Sequence, residues 1–378
     1  MAGLCKPQLN DIKTPAYVVD EDDLIRNLEI LKDVKDRSGA KILLAQKAFS
    51  MFSLYPLIME YLDGTAASGL YEARLAHEEA GGQVHVYSPA YKDDEIRELA
   101  YIADHIIFNS GSQLIKFRNR CMDASLGLRI NPECSTQDTP IYDPCAPGSR
   151  LGVRYDDLDE AWLDLIEGFH IHTLCEQDAE DLKVTLEAFL DKFGKYLHKL
   201  KWLNLGGGHH ITRSGYDREL LIKLIKDIRN EYGLLVYLEP GEAVALNAGY
   251  LVCEVMDIVK NDLDIAILDT SAACHMPDVL EMPYRPPLFG SGYPSDKAYT
   301  YRLAGRTCLA GDVIGDYSFD EPLNIGDRLC FTDMAIYSMV KNNTFNGMPL
   351  PDIRILKKDG SVDAVKEFDY YDFKGRLS

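Results

Sequence analysis

A chain of 378 residues with 46% hydrophobic content is too long for one small domain and ample for a barrel of about 250 residues with a second module. Its 60 acids against 40 bases give a net charge of −20, which argues against a nucleic-acid partner and is compatible with a cationic small molecule. No apolar run approaches the roughly 18 residues of a membrane span and no signal-peptide pattern opens the chain, while nine scattered cysteines without a CxxC pair suit reduced thiols in a cytoplasmic protein.

Apolar positions 24, 25, 28, 31 and 34 have helical spacing and predict a helix over 22–35. A strand follows at 41–45, a helix at 55–61, a short strand ending at 65–68 and a helix at 70–80. Then come a strand at 83–87, a helix at 93–100 and a strand at 105–109. Further strands are expected at 126–130, 168–173, 202–205 and 235–239, with helices at 179–193 and 217–231 between them. This alternation predicts an α/β protein with a (β/α)8 barrel. After about residue 250 short β-like runs (251–259, 264–269, 299–303, 328–332, 353–357) alternate with turns such as Asn324 to Asp327, which predicts a β-domain. The expected division is 38–249 for the barrel and 250–378 for the β-domain, completed by residues 10–37.

Chemistry-bearing residues fall at the C-terminal ends of expected strands, the catalytic face of such barrels. Lys47 follows the apolar run Ile42 to Ala45. A lysine there is costly unless used, and desolvation makes its amine a better nucleophile for an aldehyde; a lysine escaping to solvent in a loop is the alternative. Gly206, Gly207 and Gly208 follow Trp202 to Leu205 and let the backbone approach an anion, unless they form a mere turn. His170 and His172 are two apart and share a face on a strand. One imidazole could lie flat on a cofactor ring; a hydrogen-bonded core pair or a metal pair is the other reading, with no third ligand at recognisable spacing. Glu239, before Pro240 and Gly241, ends the apolar run Leu235 to Leu238 and needs a buried partner. A pyridinium N–H would be one. Amine, glycine loop and carboxylate together are what a protein needs to use pyridoxal 5'-phosphate.

These residues, in this order and with Cys308 and Tyr337 after them, resemble the fold type III pyridoxal-phosphate decarboxylases, an alanine racemase-like group that includes ornithine, diaminopimelate and carboxynorspermidine decarboxylases. The resemblance runs from Thr14 to Gly347. It implies a homodimer whose active sites lie between the barrel of one subunit and the β-domain of the other. It further implies that Lys47 binds the cofactor covalently and that His172 stacks on its ring. Gly206, Gly207 and Gly208 would bind the phosphate, Tyr337 would also touch it, Gly241 would belong to the cofactor site, and Glu239 would hold the ring nitrogen. Cys308, supplied across the dimer, would return a proton after carbon dioxide leaves.

Departures from the group's pattern choose a branch. Ornithine- and diaminopimelate-type members usually read Glu-Pro-Gly-Arg, whereas the fourth residue here is Glu242. An ionised glutamate repels phosphate and receives amines. The segments His172 to Gln177, Gly305 to Asp312 and Asp278 to Arg285 look most like carboxynorspermidine decarboxylase. That resemblance implies decarboxylation of carboxynorspermidine, carboxyspermidine or both to the polyamine, with Glu242, Asp312 and Glu281 as amine contacts, each with an ordinary surface or ion-paired acid as its alternative. Diaminopimelate or ornithine decarboxylation is the second expectation. A non-catalytic, cofactor-binding regulatory relative is the third. Arg150 could guide a carboxylate or be a surface arginine, and Cys175 has no assigned role.

Overall fold

Eight short strands of almost wholly buried residues pair in parallel and in sequence order: β2 (Lys41–Ala45), β3 (Gly64–Ala67), β4 (Gln83–Tyr87), β5 (His105–Phe108), β6 (Ser125–Ile130), β7 (Gly168–Ile171), β8 (Trp202–Asn204) and β9 (Leu235–Leu238). β9 returns to β2 through Lys41 opposite Tyr237 and Ile42 opposite Leu238, so the sheet closes into a barrel. The computed structural model describes residues 4–378. The barrel expected from the sequence is present.

Strands buried on both faces read as continuous apolar runs, and the helices between them cover the outside. Their ends are fixed by local chemistry. The helix Ala179–Phe193 starts with a capping box between Asp178 and Asp181. The helix Arg218–Tyr232 starts where the Asp217 side chain accepts from Leu220 N–H and stops at Gly233, whose φ of +71° a side chain rarely adopts. Inside the barrel Trp202, Tyr237, Leu43, Ala45, Ala66 and Ile107 form one packed cluster. Gly127 and Gly168 make room for the indole, because a Cβ on either would run into Trp202.

The rest of the chain builds an eight-stranded sheet in the order β13-β12-β11-β10-β1-β15-β16, with β14 also paired to β10. Its strands are β1 (Ala16–Asp20), β10 (Gly249–Asn261), β11 (Leu263–Leu268), β12 (Tyr299–Ala304), β13 (Val313–Phe319), β14 (Arg328–Thr332), β15 (Asp352–Leu356) and β16 (Val362–Lys366). β10 changes partners along its length. Its buried first half pairs with β1 and β14, and after a bulge at Val255 and Asp257 its exposed half pairs with β11. Tyr17, Leu251, Cys253, Tyr317, Phe319 and Phe331 belong to this sheet's main core.

Two compact units result: Asn27–Val244, and Ala245–Ser378 with the described residues up to Arg26. The sequence expectation drew these limits at 38–249 and 250–378 with 10–37. In the structure the division falls within the helix Glu21–Ser38. Leu28, Leu31 and Val34 of that helix are buried, and Asn27 Nδ2 donates to Val244 O at 3.2 Å, which ties the ends of the barrel unit together.

The expectation of nine reduced thiols is corrected at one pair. Cys5 and Cys330 form a disulfide with their Cα atoms 5.0 Å apart at a sequence separation of 325. Sheet pairing makes the pair, since Cys330 N–H donates to Leu4 O and so lays the N-terminal segment beside β14. Such a separation leaves no spacing signal in the sequence. Among the described residues no helix is long and apolar enough to cross a membrane.

Candidate active site

The barrel unit brings Lys47, His172, Gly206, Gly207, Gly208, Glu239, Gly241 and Glu242 to the C-terminal ends of its strands. Lys47 stands two residues past β2, His172 one past β7, Gly206 two past β8 and Glu239 one past β9. Lys47 remains accessible at the mouth although protein crowds it on most sides. Burial lowers its affinity for a proton and the Arg129 charge lowers it further, outweighing the opposite pull of Cys175, Glu239 and Glu72. Its amine is therefore a better nucleophile than an ordinary lysine's.

Glu239 is 8% exposed and both its oxygens are engaged. His170 Nε2 lies 3.2 Å from Oε2, and Asn204 Nδ2 donates to Oε1 at 2.6 Å. Burial pushes the carboxyl up, but His170, Asn204 and Lys47 together hold it below the usual range. It stays ionised, ready to accept from a protonated ring nitrogen. The oxygen of the Asn204 amide accepts from Gly206 N–H at 2.8 Å, so this one side chain couples the acid to the glycine loop.

That loop is built for close approach. Gly206 and Gly208 have φ of +69° and +82°, and a Cβ on Gly207 would strike the Glu239 carbonyl. Gly207 N–H donates to His172 Nδ1 at 2.9 Å, which assigns any ring proton of a neutral His172 to Nε2. Burial, then Lys47 and Arg129, hold His172 well below the ordinary imidazole range. The loop thus spends two of its three amides internally. Gly208 N–H alone has no such acceptor among the described residues. Gly241 packs its Cα against Ala48 and Ala45, where a Cβ would be 2.7 Å from the Ala48 methyl.

Two residues without a sequence-based role belong here. Arg129, buried on β6, lies over the Tyr87 ring at 4.6 Å and donates to His172 O at 3.1 Å. Asn204 is fully buried. The available signal was a polar residue inside an apolar strand run, in both cases. Two three-residue groups have ligand atoms within 4.8 Å of one another: His170, His172 and Glu239, and Glu176, His210 and Glu242. The third ligand that spacing did not reveal is therefore there, contributed by another strand end. In the first group His172 Nδ1 already accepts from the backbone and Glu239 is doubly held. Glu242 lies with Oε2 3.1 Å from His210 Nε2.

Cys308, Asp312, Glu281 and Tyr337 are carried by the sheet unit. Cys308 is exposed on the loop between β12 and β13. Asp312 is 3% exposed and clamps that loop: it accepts from Thr307 Oγ1 at 2.6 Å and from Ser271 Oγ at 2.8 Å. Glu281 shares Lys341 with Asp278, at 2.7 Å from the amine. Each of the three acids expected to receive amines has a neighbour already, and only Glu281 of the three keeps a largely exposed carboxylate beyond its pair. Tyr337, half-buried, opens the helix Ser338–Lys341 at a φ of +55°, a strained value for a tyrosine. Arg150 lends its carbonyl to Asn109 Nδ2 at 2.8 Å, and Asn109 accepts from Tyr87 at the same mouth.

A reactive lysine, an ionised buried acid, a flat imidazole and a glycine cradle fit pyridoxal 5'-phosphate. The family model described as "Pyridoxal-dependent decarboxylase, C-terminal sheet domain" matches residues 16–335. The chain belongs to this family. The decarboxylase is 46% identical to the carboxynorspermidine/carboxyspermidine decarboxylase of Campylobacter jejuni over 97% of this chain and 98% of that one. It is 42% identical to the carboxyaminopropylagmatine decarboxylase of Synechocystis, over 98% and 97%. Among solved structures, carboxynorspermidine decarboxylase from Campylobacter jejuni, complexed with norspermidine, superposes with a TM-score of 0.91 at 44% identity, covering 97% of this chain and 100% of that one. Diaminopimelate decarboxylase from Helicobacter pylori shares the fold, with a TM-score of 0.83 at 18% identity.

Proposed function

We propose that this decarboxylase removes the carboxylate of carboxynorspermidine, carboxyspermidine or both, and so makes a polyamine. The observation that carries the reading is the joint placement of Lys47, His172 and Glu239 around the glycine loop, in a chain whose full-length relatives act on carboxylated triamines. When bound, pyridoxal 5'-phosphate supplies a protonated pyridine ring that accepts the electron pair left by departing carbon dioxide. The chain's residues do the rest. Lys47, whose proton affinity is lowered by burial and by Arg129, would hold the cofactor through its aldehyde. Glu239, ionised between His170 and Asn204, holds the proton on the ring nitrogen. His172, its orientation fixed by Gly207 N–H, would lie against the ring. Gly208, Gly241 and Tyr337 contribute to the phosphate cradle.

Cys308 returns a proton to the carbon that lost its carboxylate, and Asp312 fixes the loop that presents this thiol. In this reading Cys308 comes from a second copy of the chain, so the working enzyme is a homodimer with shared sites. Glu281, exposed beyond its pair with Lys341, receives a substrate amine.

A second reading has its own support. The 42% identical relative that acts on carboxyaminopropylagmatine puts a guanidino end within the range of substrates. Carbon dioxide release from the cofactor-loaded protein is therefore to be measured on carboxynorspermidine, carboxyspermidine, carboxyaminopropylagmatine, meso-diaminopimelate and ornithine in parallel. Turnover concentrated on the first two is expected. Preference for carboxyaminopropylagmatine would install the second reading, and turnover only on the two amino acids would overturn both. The two triamines differ by one methylene, worth about 1–3 kcal/mol in a pocket, so both should turn over with a ratio of roughly 10–200.

A further inference from the structure

The phosphate end of the cradle is short of donors. Gly206 and Gly207 give their amides to Asn204 and His172, and the helix that opens after Gly241 puts a carboxylate, Glu242, beside the loop. A phosphate carrying up to two negative charges requires donors there, and charge-assisted ones are the strong ones.

We infer that His210 is a phosphate-binding residue of this site and that Glu242 orients it; the inference rests on the cofactor reading above. His210 lies two residues beyond Gly208 and is tied to the loop by two backbone bonds. Its own N–H donates to Gln177 O at 3.2 Å, and Gln177 N–H donates to Gly208 O at 3.0 Å. The ring is 7% exposed. Nε2 sits 3.1 Å from Glu242 Oε2 but outside hydrogen-bond geometry, so neither Nε2 nor Nδ1 has a hydrogen-bond partner among the described residues. A buried ring nitrogen is costly to leave unpaired, and native structures rarely do so without a ligand or water to satisfy it. A ring N–H that donates to a phosphate oxygen would satisfy this buried ring, while Glu242, whose carboxylate and that of Glu176 have ligand atoms within 4.8 Å of its own, borders it. His210 therefore supplies a side-chain donor, and Glu242 is a positioning residue.

The test compares two ligands that differ only by the phosphate. Full-length apoprotein is titrated with pyridoxal 5'-phosphate and with pyridoxal, followed by protein fluorescence and visible absorbance. His210→Ala is expected to weaken pyridoxal 5'-phosphate by about tenfold or more and leave pyridoxal within about twofold. His210→Gln, which keeps one N–H donor, should fall between, and Glu242→Gln should lose several-fold on the phosphorylated ligand alone. Equal losses on both ligands would mean a structural role and overturn the inference, as would unchanged affinity for pyridoxal 5'-phosphate in His210→Ala. Failure of the parent protein to bind either ligand would strike the cofactor reading instead.

Discussion

Glu239 carries a charge in a place that opposes charge, and its two neighbours are what make this tolerable. Asn204→Ala removes the 2.6 Å donor to Oε1. A hydrogen bond to a charged group is worth about 1.5–3 kcal/mol, so the carboxyl should rise by about one to two pH units. Because the working form is the carboxylate, losing a donor raises the pH at which activity fails on the acid side. The acid limb of the turnover profile should move up by that amount, and a limb at the parent's pH would remove Asn204 from this role. Lys47→Ala should abolish the visible absorbance of the lysine-bound cofactor together with turnover; turnover at the parent rate would remove Lys47 from the chemistry. Lys47, His172 and Glu239 were legible because each is a polar residue at the end of an apolar run, where burial demands a use. Asn204 and Arg129 were not singled out. Their importance lies in which side chain they face, Glu239 across β8 and β9 for one and Tyr87 for the other, and pairing between strands leaves no mark on spacing. The resemblance implied a substrate contact for Asp312; in the structure this carboxylate also clamps the Cys308 loop, a role its spacing does not announce.

Among elements, the barrel strands were the most legible part of the chain, because parallel strands buried on both faces are short and uniformly apolar. β13 was not expected: Gly315 interrupts its run. β16 alternates polar residues and is mostly exposed, and β1 gains its meaning only from β10 and β15, distant in sequence. The large-against-small packing of Trp202 on Gly127 and Gly168 was also invisible, since neither glycine stands at a turn. It makes a quantitative expectation. Gly168→Ala forces a methyl into the indole and should cost about 1–3 kcal/mol by overpacking. The measurement is the urea midpoint with the slope unchanged. A midpoint equal to the parent's would mean the barrel interior yields more readily than its packing implies.

For the whole molecule, the shared-site proposal has a test that needs no structure of an assembly. Lys47→Ala and Cys308→Ala chains are each expected to be nearly inactive. Mixed and allowed to exchange subunits in equal amounts, they should recover about a quarter of parent activity, because half the dimers then hold one intact site. No recovery, with exchange demonstrated by mass, would put Lys47 and Cys308 of one site on the same chain. The sheet unit carries a further consequence, one of timing. β1 takes its place between β10 and β15, but roughly 230 residues must be added after Asp20 before β10 begins. At about 5–20 residues per second, the ribosome leaves this strand without a partner for some 10–50 s. The barrel can be complete before the sheet has its central pairing, so the nascent chain carries an unmatched hydrophobic ribbon, Ala16 to Val19, through most of its own synthesis.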